Sequence, residues 1–156
     1  MVRTIFLLPA FLAALAAAAP SPLAQRQDLC AGDPSAAGFC TPLTFTDKTG
    51  GSAAAPSTSD CQQTCQGILS DAGDWGVDFA GRPAGFRDQM YLGPCQFGVS
   101  RTSDRDTSQF FFDMSNQDIV DVVGGSIRRF AGAHGGRVKA EGTMDCSGHV
   151  VKWYVG

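Results

Sequence analysis

SNQDIVDVVGGSIRRF, residues 115–130, is followed after a short glycine-rich stretch by RVKAEGTMDCSGHVVKWYV, residues 137–155. The first reads as an amphipathic helix and the second as a β-hairpin. Ser115 with Asp118 three residues on makes a capping-box start, the acid standing in for the usual Glu or Gln. Ile119, Val120, Val123, Ile127 and Phe130 recur at helical spacing and share a face. Asp118 and Asp121 near the start and Arg128 and Arg129 near the end suit the helix dipole, and Gly132 is expected to close the helix. Gly124-Gly125 in its middle costs ~2 kcal/mol of helix propensity, which points to a close neighbour, with a kink as the alternative. From Arg137 to Cys146 the chain alternates. Val138, Ala140, Gly142, Met144 and Cys146 face one way, and Lys139, Glu141, Thr143 and Asp145 the other. Ser147-Gly148 is a tight turn, and residues 150–155 return with Val151, Trp153 and Val155 on one face. A sheet buried on helices on one side and wet on the other is an α+β arrangement: a small antiparallel sheet packed against two helices as an α/β sandwich.

Upstream, Phe110, Phe111 and Phe112 read as a strand entering that helix. Residues 100–108 intersperse Arg101, Asp104, Arg105 and Asp106 and read as a solvated turn. Residues 90–99 read as one strand entered through Gly93-Pro94, with Cys95, Phe97 and Val99 on one face. Residues 81–88 are a loop, and Trp75, just past a helix end at 71–74, is a core anchor. The first helix is expected to take Ser59 or Asp60 as its N-cap and to align Cys61, Cys65 and Ile68. Residues 47–57 are a Gly-, Ala-, Ser- and Thr-rich loop, residues 43–46 a short strand, and residues 30–40 a loop held by cysteines.

Residues 1–18 read as a signal peptide. Arg3 gives a basic start, residues 5–18 are almost wholly apolar, and Ala16-Ala17-Ala18 is a small-residue cleavage site. The run is too short and alanine-rich for a membrane span. Removing it leaves roughly 138 residues, suited to one domain: a disordered lead at 19–29 and a single cysteine-rich domain at 30–156. The formal net charge of −3 becomes −4 once Arg3 is gone. A mildly acidic surface argues against nucleic acid or stable insertion into an anionic membrane. A monomer is expected.

Cys30, Cys40, Cys61, Cys65, Cys95 and Cys146 all lie in that domain, an even count that reads as three disulfides in an extracellular protein. Six cysteines allow 15 pairings, and spacing alone does not choose among them. Cysteines four apart on a helix face can both reach a neighbouring layer but not each other. Cys61 and Cys65 are therefore expected to staple their helix to Cys30 and Cys40, and Cys95 and Cys146 to join two strands. A zinc site would need a second close pair beside Cys61-x-x-x-Cys65, so neither metal nor cofactor is expected.

Candidates for catalysis are few. No nucleophile elbow, zincin motif, phosphate-cradling loop or dinucleotide fingerprint occurs. His134 and His149 read as exposed turn residues. The sharper alternative joins either with Glu141 and Arg137 as acid, base and phosphate clamp of a small ribonuclease, though no spacing rule selects that set. Non-enzymatic action is the expectation.

Several motifs carry a resemblance. Gly93-Pro94-Cys95-Gln96-Phe97-Gly98-Val99 is similar to the Gly-x-Cys-x-Phe-Gly-Val strand of the fungal necrosis-inducing factors, homologues of a tomato-leaf-mould extracellular effector. Asp118-Ile119-Val120-Asp121 and Ser126-Ile127-Arg128-Arg129-Phe130 resemble that family's main helix. Gly135-Gly136-Arg137-Val138 and Glu141-Gly142-Thr143-Met144-Asp145-Cys146 resemble its Gly-Arg-Val and Gly-Thr-Met-x-Cys strand. Asp60-Cys61 and Trp75 sit where the family has its first helix and a tryptophan. The likeness covers residues 61–153 in order. Two departures stand out: the cysteine spacing across residues 30–65, and Gly124-Gly125 where polar residues are usual.

The resemblance implies a secreted virulence effector with a killer-toxin-like fold, tied to plant cell death, and no catalytic residues. The leading expectation is an effector binding an unknown host component in the apoplast through the exposed sheet face and the loops at 47–57 and 100–108. The alternative is a killer-toxin-like antimicrobial interfering with channels or membranes of competing microbes, with Arg128, Arg129, Arg137 and Lys139 as its cations. A secreted surface protein without toxic action is the plainest reading.

Overall fold

The computed structural model describes residues 28–50, 54–71 and 73–156. The segment read as a signal peptide, and most of the lead that follows it, lie outside the described residues. In chain order the elements are β1 (Cys40–Pro42), β2 (Thr46–Asp47), α1 (Thr58–Leu69), β3 (Trp75–Asp78), β4 (Arg87–Tyr91), β5 (Phe97–Arg101), β6 (Phe111–Met114), α2 (Asn116–Phe130), β7 (Ala140–Cys146) and β8 (His149–Val155). A 3₁₀ turn, Ala131–His134, follows α2.

Both helices start the same way. At α2 the Ser115 side chain accepts the Asp118 N–H, and the Asp118 carboxylate accepts the Ser115 N–H at 2.8 Å. At α1 the reciprocal pair is Ser57 and Asp60, not a cap at Ser59 or Asp60. Ser57 repeats the Ser-x-x-Asp spacing of Ser115, and neighbouring backbone bonds from Val138 to Pro56 and from Thr58 to Gly136 fix the chain entry. Asp118 does more than cap: its carboxylate also accepts the N–H groups of Phe39 and Cys40, tying the N-terminal loop to the helix start. The end of α2 differs from expectation: the helix stops at Phe130 with Ala131 as its C-cap, Gly132 lies inside the 3₁₀ turn that carries on from it, and Gly135, in the left-handed region at φ 61°, closes that turn.

The main sheet runs β1-β7-β8-β5-β4, with β2 also pairing with β7 farther along, and every pairing is antiparallel. The β7–β8 hairpin turns through Ser147 and Gly148, both at positive φ, the signature of a type I′ turn. Its inward positions, Ala140, Met144, Cys146, Val151, Trp153 and Val155, join Phe97 and Val99 of β5 in the core with Ile119, Val120 and Val123 of α2 and Ile68 of α1. Gly124 and Gly125 lie within the uninterrupted α2. A Cβ on Gly124 would meet Cys30, and one on Gly125 would meet the Phe45 ring, so close packing explains the pair.

Four readings of the strands need correction. Residues 43–46 do not form one strand, because the N–H groups of Leu43 and Thr44 both reach the Thr143 carbonyl and turn Phe45 inward onto Trp153. Residues 90–99 are two strands, since Gly93-Pro94 lies in the reversal between β4 and β5 and Pro94 has no N–H to give a ladder. Residues 81–88 are not loop throughout, since β4 begins at Arg87. Trp75, which packs against the core as expected, opens β3, which pairs with β6 as a separate two-stranded sheet, and its indole N–H donates to Asn116. Arg101 is no solvated loop residue but the last residue of β5, 3% exposed.

All six cysteines pair: Cys30 with Cys65, Cys40 with Cys146, and Cys61 with Cys95. Cys65 does staple α1 to the N-terminal loop. Cys61 instead reaches Cys95, and Cys95 does not join Cys146. Topology gives the reason. β8 separates β5 from β7, whereas β1 lies beside β7 with Cys40 directly opposite Cys146. The β4–β5 reversal in turn sits over α1, where the Thr64 hydroxyl donates to the Cys95 carbonyl at 2.7 Å.

Candidate recognition surface

The residues named for catalysis are not brought together. His149 pairs with Cys146 at the turn end of β7–β8 and stacks on Phe110 at 4.6 Å. His134 bonds Asp47, which lies opposite Ala140 at the other end of β7, about 20 Å away at the usual strand rise. Neither histidine is a free turn residue: both are half-buried. The His134 imidazole, with the Thr49 N–H behind it, holds the Asp47 carboxyl at about 2, well below the ordinary carboxylate range. Arg137 donates to the Ala55 carbonyl at 2.7 Å. The four cations considered for antimicrobial action are likewise dispersed in their contacts. Arg128 faces Asp28 at 3.8 Å, and Arg129 lies over the Phe45 ring.

Glu141 has a different place from the one proposed for it. It points outward from β7 and accepts from Lys48 at 3.0 Å and Lys152 at 3.3 Å. Partial burial works to raise its carboxyl, and the two lysine ammoniums outweigh that, so the group stays below the usual glutamate value. Across the ladder from Glu141 stands Tyr154. The Arg87 guanidinium lies 3.4 Å from the centre of the Tyr154 ring, and Lys152 lies 5.1 Å from it. The Tyr154 hydroxyl is itself bonded to Ser100 at 2.9 Å.

These residues border a groove of about 480 Å³ on the outer face of the sheet. Lys48, Arg87, Lys139 and Glu141 line it, together with Gln89 and Gln96. Its floor dips at Gly98, where a Cβ would lie 2.6 Å from the Asp88 carbonyl oxygen, so no side chain can stand there. Lys48 and Lys139 are fixed at one end by backbone, the Lys48 N–H donating to the Lys139 carbonyl and the Lys139 N–H to the Thr49 hydroxyl. Of the two loops expected to contribute, 47–57 supplies Lys48, while Arg101 turns inward from the other. Among the described residues no group of His, Cys, Asp or Glu is arranged to hold a metal ion, and no helix is long and apolar enough to cross a membrane.

Sequence reasoning had named Glu141 and Lys139, though for other roles. Lys48, Arg87, Gln89 and Tyr154 escaped it, because they come from separate segments that only the sheet order places side by side.

Residues 39–146 match the family model Hce2, described as "pathogen effector; putative necrosis-inducing factor". A search of curated proteins found no match.

Proposed function

Because the chain belongs to the Hce2 family of pathogen effectors, we propose that it is a fungal effector secreted into the plant apoplast, inducing host necrosis by binding an extracellular host component. The working unit is one domain, residues 30–156, released from a signal peptide at 1–18. The observation that carries the binding reading is the outward groove beside Glu141 and Tyr154, whose charged side chains are held by one another rather than set around a nucleophile and base. Recognition, not turnover, suits such a surface. Three disulfides in a small domain support an oxidising, extracellular setting.

The test is infiltration of leaves with the purified oxidised protein beside a reduced and alkylated control. Lesions from the folded form alone are expected. Silence across several plant hosts, with growth inhibition of competing fungi by the same preparation, overturns this reading in favour of a killer-toxin-like antimicrobial that interferes with channels or membranes.

A further inference from the structure

The groove has the opposite sign to the molecule. The chain carries a formal net charge of −3, yet Lys48, Arg87 and Lys139 line the groove with Glu141 as the one acidic side chain among them, Gly156 also lying there, and Lys152 stands beside them on the Glu141 carboxylate. Segregated charge of this kind concentrates ligands of the other sign. The cations are also ordered in advance. Arg87 lies over the Tyr154 ring at 3.4 Å, and Glu141 fixes two lysines at once. Ordering before binding lowers the entropic cost of holding a ligand.

We propose that this groove binds an unesterified polyuronide, a sugar chain bearing one carboxylate on each unit. The backbone positions that carry the cations, from Lys48 beyond β2 to Arg87 on β4, reach across β2, β7, β8, β5 and β4, about 19 Å at the usual strand spacing. Lys48 and Lys152 meet at the Glu141 carboxylate, Arg87 lies over the Tyr154 ring that Lys152 also approaches, and Lys139 lines the groove as well. Positive charge offered from several strands suits a ligand bearing several carboxylates along its chain. Arg87 offers a planar fork for a carboxylate. Gln89 and Gln96 line the same groove and supply neutral donors and acceptors for hydroxyls, and Glu141 supplies an acceptor. A phosphate-rich chain has less use for the amides, and a lipid surface finds almost no exposed apolar side chain in the lining.

The inference deepens the reading above by giving the host component a chemical class, and it rests on that reading for its setting alone. Labelled oligogalacturonate is titrated into the oxidised full-length protein and followed by fluorescence anisotropy. Saturable binding is expected, weakening as salt rises and lost when the same oligomer is methyl-esterified. Arg87→Gln and Lys139→Gln should each weaken binding about tenfold. Arg105→Gln, the same charge change on an exposed loop, should leave affinity unchanged. Intact disulfides and an unchanged circular dichroism spectrum qualify each variant, and Lys139→Gln serves if loss of the Arg87 stack disturbs folding. The proposal is overturned by absence of binding or by equal binding of the methyl ester. Polyphosphate or phosphatidylserine vesicles binding as tightly as the uronide overturn it too, as does equal weakening by Arg105→Gln. Lesions without uronide binding sink this inference and leave the effector reading standing; binding without lesions does the reverse.

Discussion

Arg101 shows how far one side chain can depart from its sequence context. It sits among charged residues yet lies inside the molecule, where its guanidinium donates to the carbonyls of Phe79, Arg82, Pro83 and Ser108 at 2.7–3.2 Å and rests over the Phe79 ring. Its direct partners are the carbonyls of two chain segments, met by a fork of donors, with the Asp106 carboxylate close enough to feel its charge. Lysine carries the charge without the fork, so Arg101→Lys should destabilise by about 2–4 kcal/mol, read as a lowered midpoint in chemical denaturation. Asp47 makes the second case. With its carboxyl depressed to about 2 when folded, chiefly by the bond to His134, its contribution is present above the unfolded value near 3.9. It is lost as pH falls through about 2. Melting temperature followed from pH 5 to 2 should therefore fall more steeply for the native chain than for His134→Ala. Parallel curves would remove the His134–Asp47 bond from the account. Neither role was legible in sequence, because the deciding partners, residues 79–83 for Arg101 and His134 for Asp47, lie well outside any local window.

At the scale of elements, sequence and structure agree where a local rule suffices. The Ser115-x-x-Asp118 cap, the alternation through β7 and the Ser147-Gly148 turn are read within a few residues, and all three are found. Reading failed where one element is shaped by another. β3 is four residues long with a glycine second, too short to announce itself. The Phe45 segment leaves its strand because Trp153 offers an edge and Gly125 leaves room. Gly142 belongs to the same joint: a Cβ there would lie 1.9 Å from the Thr44 carbonyl oxygen and 2.4 Å from the Trp153 ring. Alternation marked Gly142 as inward-facing and gave no hint that the missing side chain was the point. Gly142→Ala should accordingly cost about 1–3 kcal/mol by overpacking, whereas Gly132→Ala, with open space at its Cβ, should cost nothing measurable. Thermal unfolding of the two variants side by side checks the contrast.

For the whole molecule, composition announced the number of bridges and topology decided their pairing. The Cys40–Cys146 bridge spans 106 residues, against 35 and 34 for the others. On loop entropy it contributes about 4.8 kcal/mol where each of the others contributes about 3.8. Since Cys95 and Cys146 belong to different bridges, Cys95→Ser with Cys146→Ser opens two of them. That double variant should lose clearly more stability than Cys61→Ser with Cys95→Ser, which opens one; equal losses in matched denaturant titrations would contradict the pairing. The groove, too, exists only at this scale, since its cations come from a loop, an edge strand and the hairpin.

The same pairing has a meaning for survival among hydrolases. Any single cut between Cys30 and Cys146 leaves the two pieces joined by at least one sulfur–sulfur link. A protease that severs the backbone once therefore releases no fragment: the clipped chain keeps its mass until a reductant arrives, and only then separates into two bands on a gel. For a member of a pathogen-effector family, damage to the chain and loss of the molecule thereby become separate events.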